Sequence, residues 1–284
     1  MTASALSFFG QSGVSIYEKS KKVSCSVSQI WNMSNKIFAI LTDFGFDFSV
    51  ASMKALILKD FPDAQIVDVD HNIAKFSVLS AAFVIEKVYR YFPSRTIFIC
   101  VIDPGVGSKR EPICLHTKDY TFIGPNNGLF HYILTDSNVA YEAYIIKTKF
   151  NSVHFNTFHG RDLFTPTAIE IARDNFDFLE KVDSTKLVLH PALESSTSII
   201  VYIDTFGNIK TNIPFDDNFK WKDSLEIEIN GIASSVTMAN TFSKVAEGAL
   251  LGYKGSNGTL EIAANLDSAG ELLKAQVGNH IAIK

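Results

Sequence analysis

The feature that most constrains the fold is a regular alternation of β-rich segments and helically patterned segments, which begins at Lys36. The β-rich segments carry many β-branched and aromatic residues, as strands do: residues 37–42, 65–69, 96–102, 112–117, 120–124 and 140–147. Residues 49–61 and 77–92 carry apolar side chains at helical spacing, and a third helix is expected over residues 165–182. This alternation predicts an α/β domain with a central, mostly parallel sheet between helices.

The pattern changes after about residue 187, where short segments alternate polar and apolar side chains. Turn pairs such as Asn230-Gly231 and Asn257-Gly258 separate these segments, as they do in β-hairpins. Strands are therefore predicted at residues 196–204, 224–231, 233–239, 258–265 and 280–284. We expect a variable N-terminal extension (residues 1–35), an α/β domain (residues 36–187) and a smaller all-β domain (residues 188–284).

Charge and composition narrow the classes of partner. The 284 residues carry a formal net charge of −4, which provides no broad basic surface for a nucleic-acid backbone. No apolar segment approaches the roughly 20 residues that a membrane helix needs. No cationic segment precedes the short apolar patch near the N-terminus, so a secretory signal is not expected. We therefore expect a small-molecule partner, and neither nucleic acid nor a membrane.

The cysteines predict the compartment. Cys25, Cys100 and Cys114 form neither a CxxC pair nor a zinc-binding spacing. Cys100 and Cys114 lie within predicted strands, where cysteine behaves as a small buried hydrophobic residue. This usage is typical of a reducing compartment and predicts a cytoplasmic protein.

Polar residues collect directly after the predicted strands of the α/β domain. In such sheets ligands bind beyond the carboxyl ends of the strands, so these residues are candidates for a site. They are Asp43, Asp68, Asp70, His71, Asp103, Asn126 and Asn127. The loop "DPGVGSKR" after residues 96–102 combines a carboxylate, two cations, and glycines that permit a sharp turn close to a ligand. It lacks the spacing and the Lys-Ser/Thr ending of a Walker loop, so phosphate binding has little support.

The residue types alone leave alternatives open. An aspartate after a strand is often a turn or helix-cap residue, and a single histidine such as His71 is often structural. Several aspartates together with a histidine also suit an oxygen-ligated divalent metal and a hydrolytic reaction. A metal-dependent phosphohydrolase would need magnesium or manganese and would lose its activity in a chelator.

Five motifs occur in order along the chain: "TDFGFDFSVASMKA", "VIDPGVGSKR", "GPNNGL", "TFHGRDLF" and "IDTFGNIKTNI". Together they resemble the S-adenosyl-L-methionine (SAM) hydroxide adenosyltransferase family, relatives of fluorinating and chlorinating enzymes, over Lys36 to Lys284. The resemblance implies an α/β domain followed by a smaller β-barrel-like domain. It also implies metal-free hydrolysis of SAM to adenosine and L-methionine, without a cofactor. A homotrimer is implied too, with SAM held between the N-terminal domain of one subunit and the C-terminal domain of its neighbour.

The resemblance also assigns catalytic residues. The family's Asp-Arg-His set falls on Asp103 and Arg110 of "DPGVGSKR" and on His159 of "TFHGRD". The halogenating relatives lack the complete set, so its presence here favours hydroxide over a halide. Asp43 of "TDFG" resembles the carboxylate that takes the ribose hydroxyls, a task suited to its two acceptor oxygens.

Further substrate contacts follow from the other motifs. Asp204 resembles the group that meets the methionine ammonium, and Asn208 resembles the residue that hydrogen-bonds adenine, with Phe206 as its apolar neighbour. Ser256 of "GSNG" resembles a carboxylate-binding serine, and Asn127 of "GPNNGL" resembles a pocket residue.

Some positions depart from the family pattern or have a simpler explanation. Asn257 stands where some relatives have an arginine, so a charged partner for the methionine carboxylate is missing. Asn126 stands where the family more often has aspartate. Taken alone, His159 is better explained as a helix cap than as a catalytic residue, and Arg161 and Asp162 are expected to form a structural pair or helix-start contacts.

The expected reaction is an in-line displacement at the ribose C5' carbon. The sulfonium needs no acid, because its departure as methionine neutralises its charge. Asp103 could accept the proton of the attacking water or only orient that water. Alternatively, Arg110 and His159 could hold a hydroxide ion. The sequence leaves these routes open. The rival hypotheses are the metal-dependent phosphohydrolase and a non-catalytic module that binds adenosine or SAM.

Overall fold

The computed structural model describes residues 36–147, 157–194, 196–215, 223–256 and 258–284. The predicted extension over residues 1–35, with Cys25, lies outside the described residues, as does Asn257. Among the described residues, none of the helices combines the length and the apolar character that a membrane-spanning segment requires.

Within the described residues, the N-terminal sheet has seven strands in the order β2-β1-β3-β5-β4-β6-β7. Their bounds are β1 (Ile37–Thr42), β2 (Gln65–Asp70), β3 (Thr96–Val101), β4 (Pro112–Thr117), β5 (Tyr120–Pro125), β6 (Tyr141–Ile146) and β7 (Leu179–Val182). Strands β2, β1, β3 and β5 are parallel, whereas β4, β6 and β7 complete the sheet with antiparallel pairs. The predicted α/β domain is confirmed, and its sheet is parallel in one half and antiparallel in the other.

Helices cover both faces of this sheet: α1 (Phe48–Asp60), α2 (Val78–Val88), α3 (His131–Thr135) and α4 (Thr165–Ala172). Side chains alternate between the faces along a strand, so Phe38 and Ile40 of β1 pack with α1 and α4, while Ala39 and Leu41 pack with α2 and α3. Both faces of β1 and β3 are therefore buried, which leaves the carboxyl ends of these strands as the place where polar residues reach solvent.

The helix predicted over residues 165–182 is wrong in its second half. Helix α4 ends at Ala172, and Asp174 adopts a positive φ of 60°, which breaks the helical path. Leu179–Val182 instead form β7, paired antiparallel with β6. The edge of β6 offers backbone donors and acceptors that a strand can satisfy, and this long-range pairing overrides the local helical spacing.

The C-terminal sheet also has seven strands in the part of the chain that the structure describes, in the order β14-β10-β11-β12-β13-β9-β8. Their bounds are β8 (Ile200–Ile203), β9 (Ile209–Pro214), β10 (Ser224–Ile229), β11 (Ile232–Met238), β12 (Leu250–Lys254), β13 (Thr259–Ala264) and β14 (Ile281–Ile283), with short helices α5 (Pro191–Glu194) and α6 (Ala269–Leu272). A bridge between Ile199 and His280 brings the two ends of the sheet together. The sheet is a nearly closed barrel around its own apolar core, as expected, and includes β9 and β12, which the sequence patterns missed.

Candidate active site

Asp103 lies just beyond the carboxyl end of β3, a strand that is buried along its whole length. Two successive turns follow, in which the Val106 amide donates to the Asp103 carbonyl (3.1 Å) and the Ser108 amide donates to the Gly105 carbonyl (3.0 Å). Gly107 has a φ of 78°, which glycine adopts without strain. The loop "DPGVGSKR" is therefore folded back on itself.

This loop conformation brings Arg110 back to Asp103, and the two side chains form a bidentate ion pair. Arg110 Nε donates to Asp103 Oδ1 at 2.9 Å, and Nη2 donates to Oδ2. The side chains are only 9% and 5% exposed, respectively, and the guanidinium lies over the ring of Phe164 at 5.5 Å. A planar guanidinium suits this geometry better than an ammonium, because its donors match both carboxylate oxygens.

His159 completes the cluster from the chain segment that leads into a π-helical turn, Gly160–Phe164. Its Nδ1 lies 2.9 Å from Arg110 Nη2 and 3.8 Å from Asp103 Oδ2. A guanidinium can only donate, so Nδ1 accepts and the ring proton resides on Nε2. The imidazole makes no helix-capping hydrogen bond, which removes the simpler explanation for this residue.

The electrostatics agree with a neutral imidazole. Burial lowers the pKa of His159, and the adjacent guanidinium of Arg110 lowers it further against the opposing pull of two nearby carboxylates. Arg161 and Asp162 pair with each other as expected, with Nε at 2.6 Å from Oδ1 and Nη2 at 2.9 Å from Oδ2.

Asp103 and His159 line a cavity of about 550 Å³, together with Asp43. Asp43 follows β1, and Thr42 of β1 pairs with Val101 of β3, so both strand-end carboxylates reach the same edge of the sheet. The rest of the wall is largely apolar: Phe44, Phe48, Phe76, Val101, Val106 and Phe158. One Asp43 oxygen, Oδ2, accepts from the Phe76 amide at 2.8 Å.

Asp68 and His71, considered above as metal ligands, belong to a hydrogen-bond chain behind Asp43. His71 is fully buried, with Nδ1 at 2.9 Å from Thr42 Oγ1 and Nε2 at 3.0 Å from Asp68 Oδ1. Lys54 Nζ donates to the other Asp68 oxygen at 2.6 Å. Burial opposes ionisation of Asp68, but these hydrogen bonds outweigh it and lower its pKa. Within the described ranges, no group of three or more His, Cys, Asp and Glu side chains is placed to hold a metal ion.

The two asparagines of "GPNNGL" contact backbone. Asn127 Nδ2 donates to the carbonyl of Ile102 at 2.9 Å, next to Asp103. Asn126 is buried and contacts the segment that joins the two sheets, through the Lys186 carbonyl (2.9 Å) and the Val188 amide (2.8 Å). Asn127 therefore supports the Asp103 loop from behind.

A second cavity, of about 760 Å³, lies in the C-terminal barrel and is lined by Asp204, Phe206 and Asn208. Asp204 Oδ1 accepts from the backbone amides of Phe206 (3.0 Å) and Asn208 (2.9 Å), and Oδ2 accepts from Asn208 Nδ2 at 3.0 Å. Between them Gly207 has a φ of 80°, and a Cβ there would lie 2.0 Å from Ser268 Oγ. Only glycine fits this turn, which orients the Asp204 carboxylate.

The predicted substrate residues thus fall into two groups. Asp43, Asp103 and His159 line one cavity, whereas Asp204, Phe206 and Asn208 line the other, and the two cavities share no described lining residue. Ser256 is exposed in the turn after β12. The sequence patterns did not identify some further lining residues, because ordinary aromatic, apolar or cationic residues carry no motif: Phe48, Lys75, Phe76, Phe242, Tyr253 and Leu266.

Comparisons with known proteins cover both sheets. The model of the SAM hydroxide adenosyltransferase N-terminal domain matches residues 38–180, and that of the SAM hydroxide adenosyltransferase C-terminal domain matches residues 198–282. The (R)-S-adenosyl-L-methionine hydrolase of Methanocaldococcus jannaschii is 33% identical over 264 residues, which cover 87% of this chain and 95% of that protein. A fluorinase of Nocardia brasiliensis is 26% identical over 297 residues, covering 89% and 98%.

A solved structure has the same architecture. The crystal structure of an uncharacterized conserved protein from Thermotoga maritima aligns with a TM-score of 0.76 at 32% identity, over 87% of this chain and 100% of that one.

Proposed function

The chain belongs to the SAM hydroxide adenosyltransferase family, and we propose that it hydrolyses S-adenosyl-L-methionine to adenosine and L-methionine. The observation that carries this proposal is the contact set of Asp103, Arg110 and His159 at the wall of a cavity that also holds the Asp43 carboxylate. Named relatives with this hydrolase activity match most of the chain and support the same conclusion.

Residues of this cavity can bind the substrate, orient the attacking water and exclude other water. Asp43 keeps one carboxylate oxygen beyond its bond to the Phe76 amide and binds the ribose hydroxyls. Asp103 receives a hydrogen bond from the attacking water and aims an oxygen lone pair of that water at C5', opposite the sulfur. The apolar walls exclude other water from the reacting atoms, so the nucleophile is positioned rather than made strongly basic.

Asp103 does not need to be a strong base. Bulk water has a pKa of about 15.7, but a water that has begun to bond to carbon gains positive charge and becomes far more acidic. The carboxylate stabilises this developing charge, and the hydrogen bonds from Arg110 fix its orientation. The new C–O bond forms as the C5'–S bond breaks, the sulfur keeps the bonding electron pair, and the water proton passes to Asp103 and then to solvent.

The neutral state of His159 suits a cationic substrate. With Asp103 paired to Arg110 and the imidazole uncharged, the three groups add no net charge beside the sulfonium. Arg110 acts mainly by holding Asp103 and His159 in place through its hydrogen bonds to both. This arrangement favours orientation of water through Asp103 over storage of hydroxide.

We further propose that the complete site forms between copies of the chain, as a homotrimer. One cavity is lined by Asp43 and the predicted catalytic residues Asp103 and His159, and the other by the predicted substrate contacts Asp204, Phe206 and Asn208. Both walls carry large exposed apolar side chains, with Phe48 78%, Phe76 69%, Phe206 79% and Leu266 82% exposed. Exposed apolar groups clustered around a cavity are typical of an interface.

Subunit exchange tests the shared site. Asp103→Ala and Asp204→Ala chains should each be inactive, and mixing them under conditions that exchange subunits should restore part of the activity. Light scattering measures the assembly in parallel. Full activity in a monomer would refute this part of the proposal.

The hydrolysis itself is tested by incubating the purified protein with SAM in excess chelator and measuring adenosine and methionine by chromatography. Formation of both products supports metal-free hydrolysis without a cofactor. Activity that appears only with added magnesium or manganese would favour the metal-dependent alternative, and tight binding without turnover would favour a SAM-binding module. A cytoplasmic location remains a prediction from the cysteines, of which Cys100 and Cys114 are buried free thiols.

A further inference from the structure

A buried ion pair lies beside the wall of the C-terminal cavity. Lys210 of β9 and Glu261 of β13 are direct cross-strand partners, and the Lys210 ammonium donates to a Glu261 carboxylate oxygen. Their side chains are only 16% and 6% exposed. Removing two charges from water is costly, and the attraction within such a pair often does no more than offset that cost. A contribution to the stability of the fold therefore does not explain why these two charges are buried together.

Lys210 also reaches a residue of the proposed site. Its Nζ lies 3.3 Å from Asp204 Oδ2, on the oxygen that also accepts from Asn208 Nδ2. Asp204 lines the cavity, and the Lys210 ammonium links it to Glu261. A change in the charge of either residue of this pair therefore alters the electrostatic environment of the Asp204 carboxylate.

Glu261 makes the corresponding contacts on its other side. The hydroxyl of Tyr253, which lines the same cavity, hydrogen-bonds the Glu261 carboxylate. A Cβ on Gly255 would lie 2.1 Å from Glu261 Oε1, so the turn that carries Ser256 approaches this carboxylate as only a glycine allows. The ion pair thus connects Asp204 to the turn of Ser256.

With two carboxylates and one ammonium, this cluster carries one net negative charge. We propose that Lys210 and Glu261 are positioning residues that keep Asp204 available for one cationic group of the substrate, the ammonium of its methionine part. This role of the ion pair rests on the proposed function. Glu261 holds the Lys210 ammonium, which would otherwise pair fully with Asp204 and compete with the substrate.

Charge-balance variants test this inference. Glu261→Gln releases Lys210 onto Asp204 and makes the cluster neutral, so KM and Kd for SAM should rise about tenfold, whereas kcat should change by less than about threefold. Lys210→Met combined with Glu261→Gln restores one net negative charge and should return Kd to within about threefold of the wild type. Lys210→Arg keeps the charge and should bind SAM as the wild type does.

The measurements separate positioning from a general structural role. Adenosine lacks the ammonium, so its Kd by calorimetry should stay within about twofold in every variant. Lys284→Met is the matched control, because Lys284 pairs with Glu228 across the same sheet at 2.5 Å but is 57% exposed. Circular dichroism and Tm verify that each variant folds, and a misfolded Glu261→Gln is replaced by Glu261→Asp, which keeps the charge and should preserve SAM binding.

The outcomes are distinct from those of the hydrolysis test. If the wild type forms no adenosine, the proposed function fails, and the Kd series for SAM still decides the role of the ion pair. Unchanged SAM affinity in Glu261→Gln, no recovery in the double variant, or an equal loss of adenosine binding would overturn the inference.

Discussion

Replacing Asp103 by asparagine tests the role of the strand-end carboxylate most directly. The asparagine keeps the size of the side chain but removes its charge, which leaves the Arg110 guanidinium, 9% exposed, without its carboxylate partner. Removing one member of a buried ion pair costs about 3–5 kcal/mol. We expect the lower end of this range, because Arg110 still donates to His159 Nδ1 and to the Glu111 carbonyl. For a chain of this length the loss corresponds to a fall in Tm of roughly 6–12 °C.

The kinetic effect of Asp103→Asn should be much larger than its effect on binding. The carboxylate acts on charge that develops only in the transition state, so kcat should fall by about 10²–10⁴ while KM stays within about threefold. Asp43→Ala is the matched variant in the same cavity. Loss of its contact with the ribose should cost roughly 2–3 kcal/mol, or about thirty- to a hundredfold in affinity for SAM.

The assay measures adenosine by chromatography over a range of SAM concentrations, at a temperature below the Tm of each variant, with Kd from calorimetry. Normal turnover by Asp103→Asn together with normal SAM binding by Asp43→Ala would refute the assignment of these carboxylates. The family membership would be unaffected by that result.

Other variants and conditions probe the same structure. Arg110→Lys keeps the charge but loses the two-pronged contact with Asp103, so kcat should fall about tenfold or more, and wild-type turnover would contradict a positioning role. Burial lowers the pKa of His131 and His190, so the unfolded chain binds protons below about pH 6.5 that the folded chain resists. The unfolding free energy in urea should therefore fall between pH 7 and pH 5, and a flat profile would contradict this. Gly207→Ala would place a Cβ 2.0 Å from Ser268 Oγ, whereas the space around Gly231 is open. In Gly231→Ala only the left-handed backbone conformation costs free energy, about 1–2 kcal/mol. Gly207→Ala should therefore lower the unfolding free energy by more than Gly231→Ala. Equal losses in the two variants would show that the contact is relieved.

The polar residues at the ends of the buried strands could be predicted because their positions depend only on neighbouring residues in the sequence. Residues 97–102 are all apolar, and a polar residue after such a run must emerge at the sheet edge, so the positions of Asp103 and Asp43 could be predicted from their order in the sequence alone. The turn residues of "DPGVGSKR" likewise predicted a loop that folds back, since glycine and proline restrict the backbone wherever they stand.

Local patterns failed where pairing with a distant segment decided the outcome. Leu179–Val182 has a sequence compatible with a helix, and only the open edge of β6 makes it a strand. Strand β9 was missed, and with it the cross-strand contact of Lys210 and Glu261, because two charges on separate strands reveal nothing until the register is known.

The sequence by itself determined the two-domain order, the apolar strands and the residues that follow them, because backbone preference and burial of apolar surface act on neighbouring residues. Motif resemblance added Arg110 and His159 to Asp103. The tertiary structure alone decided that Arg110 donates to both Asp103 and His159, and hence which imidazole nitrogen carries the proton. It also decided that the substrate residues divide between two cavities. Hydrogen-bond direction and cavity shape depend on distances between segments that are remote in the chain, and these distances exist only after both sheets have packed.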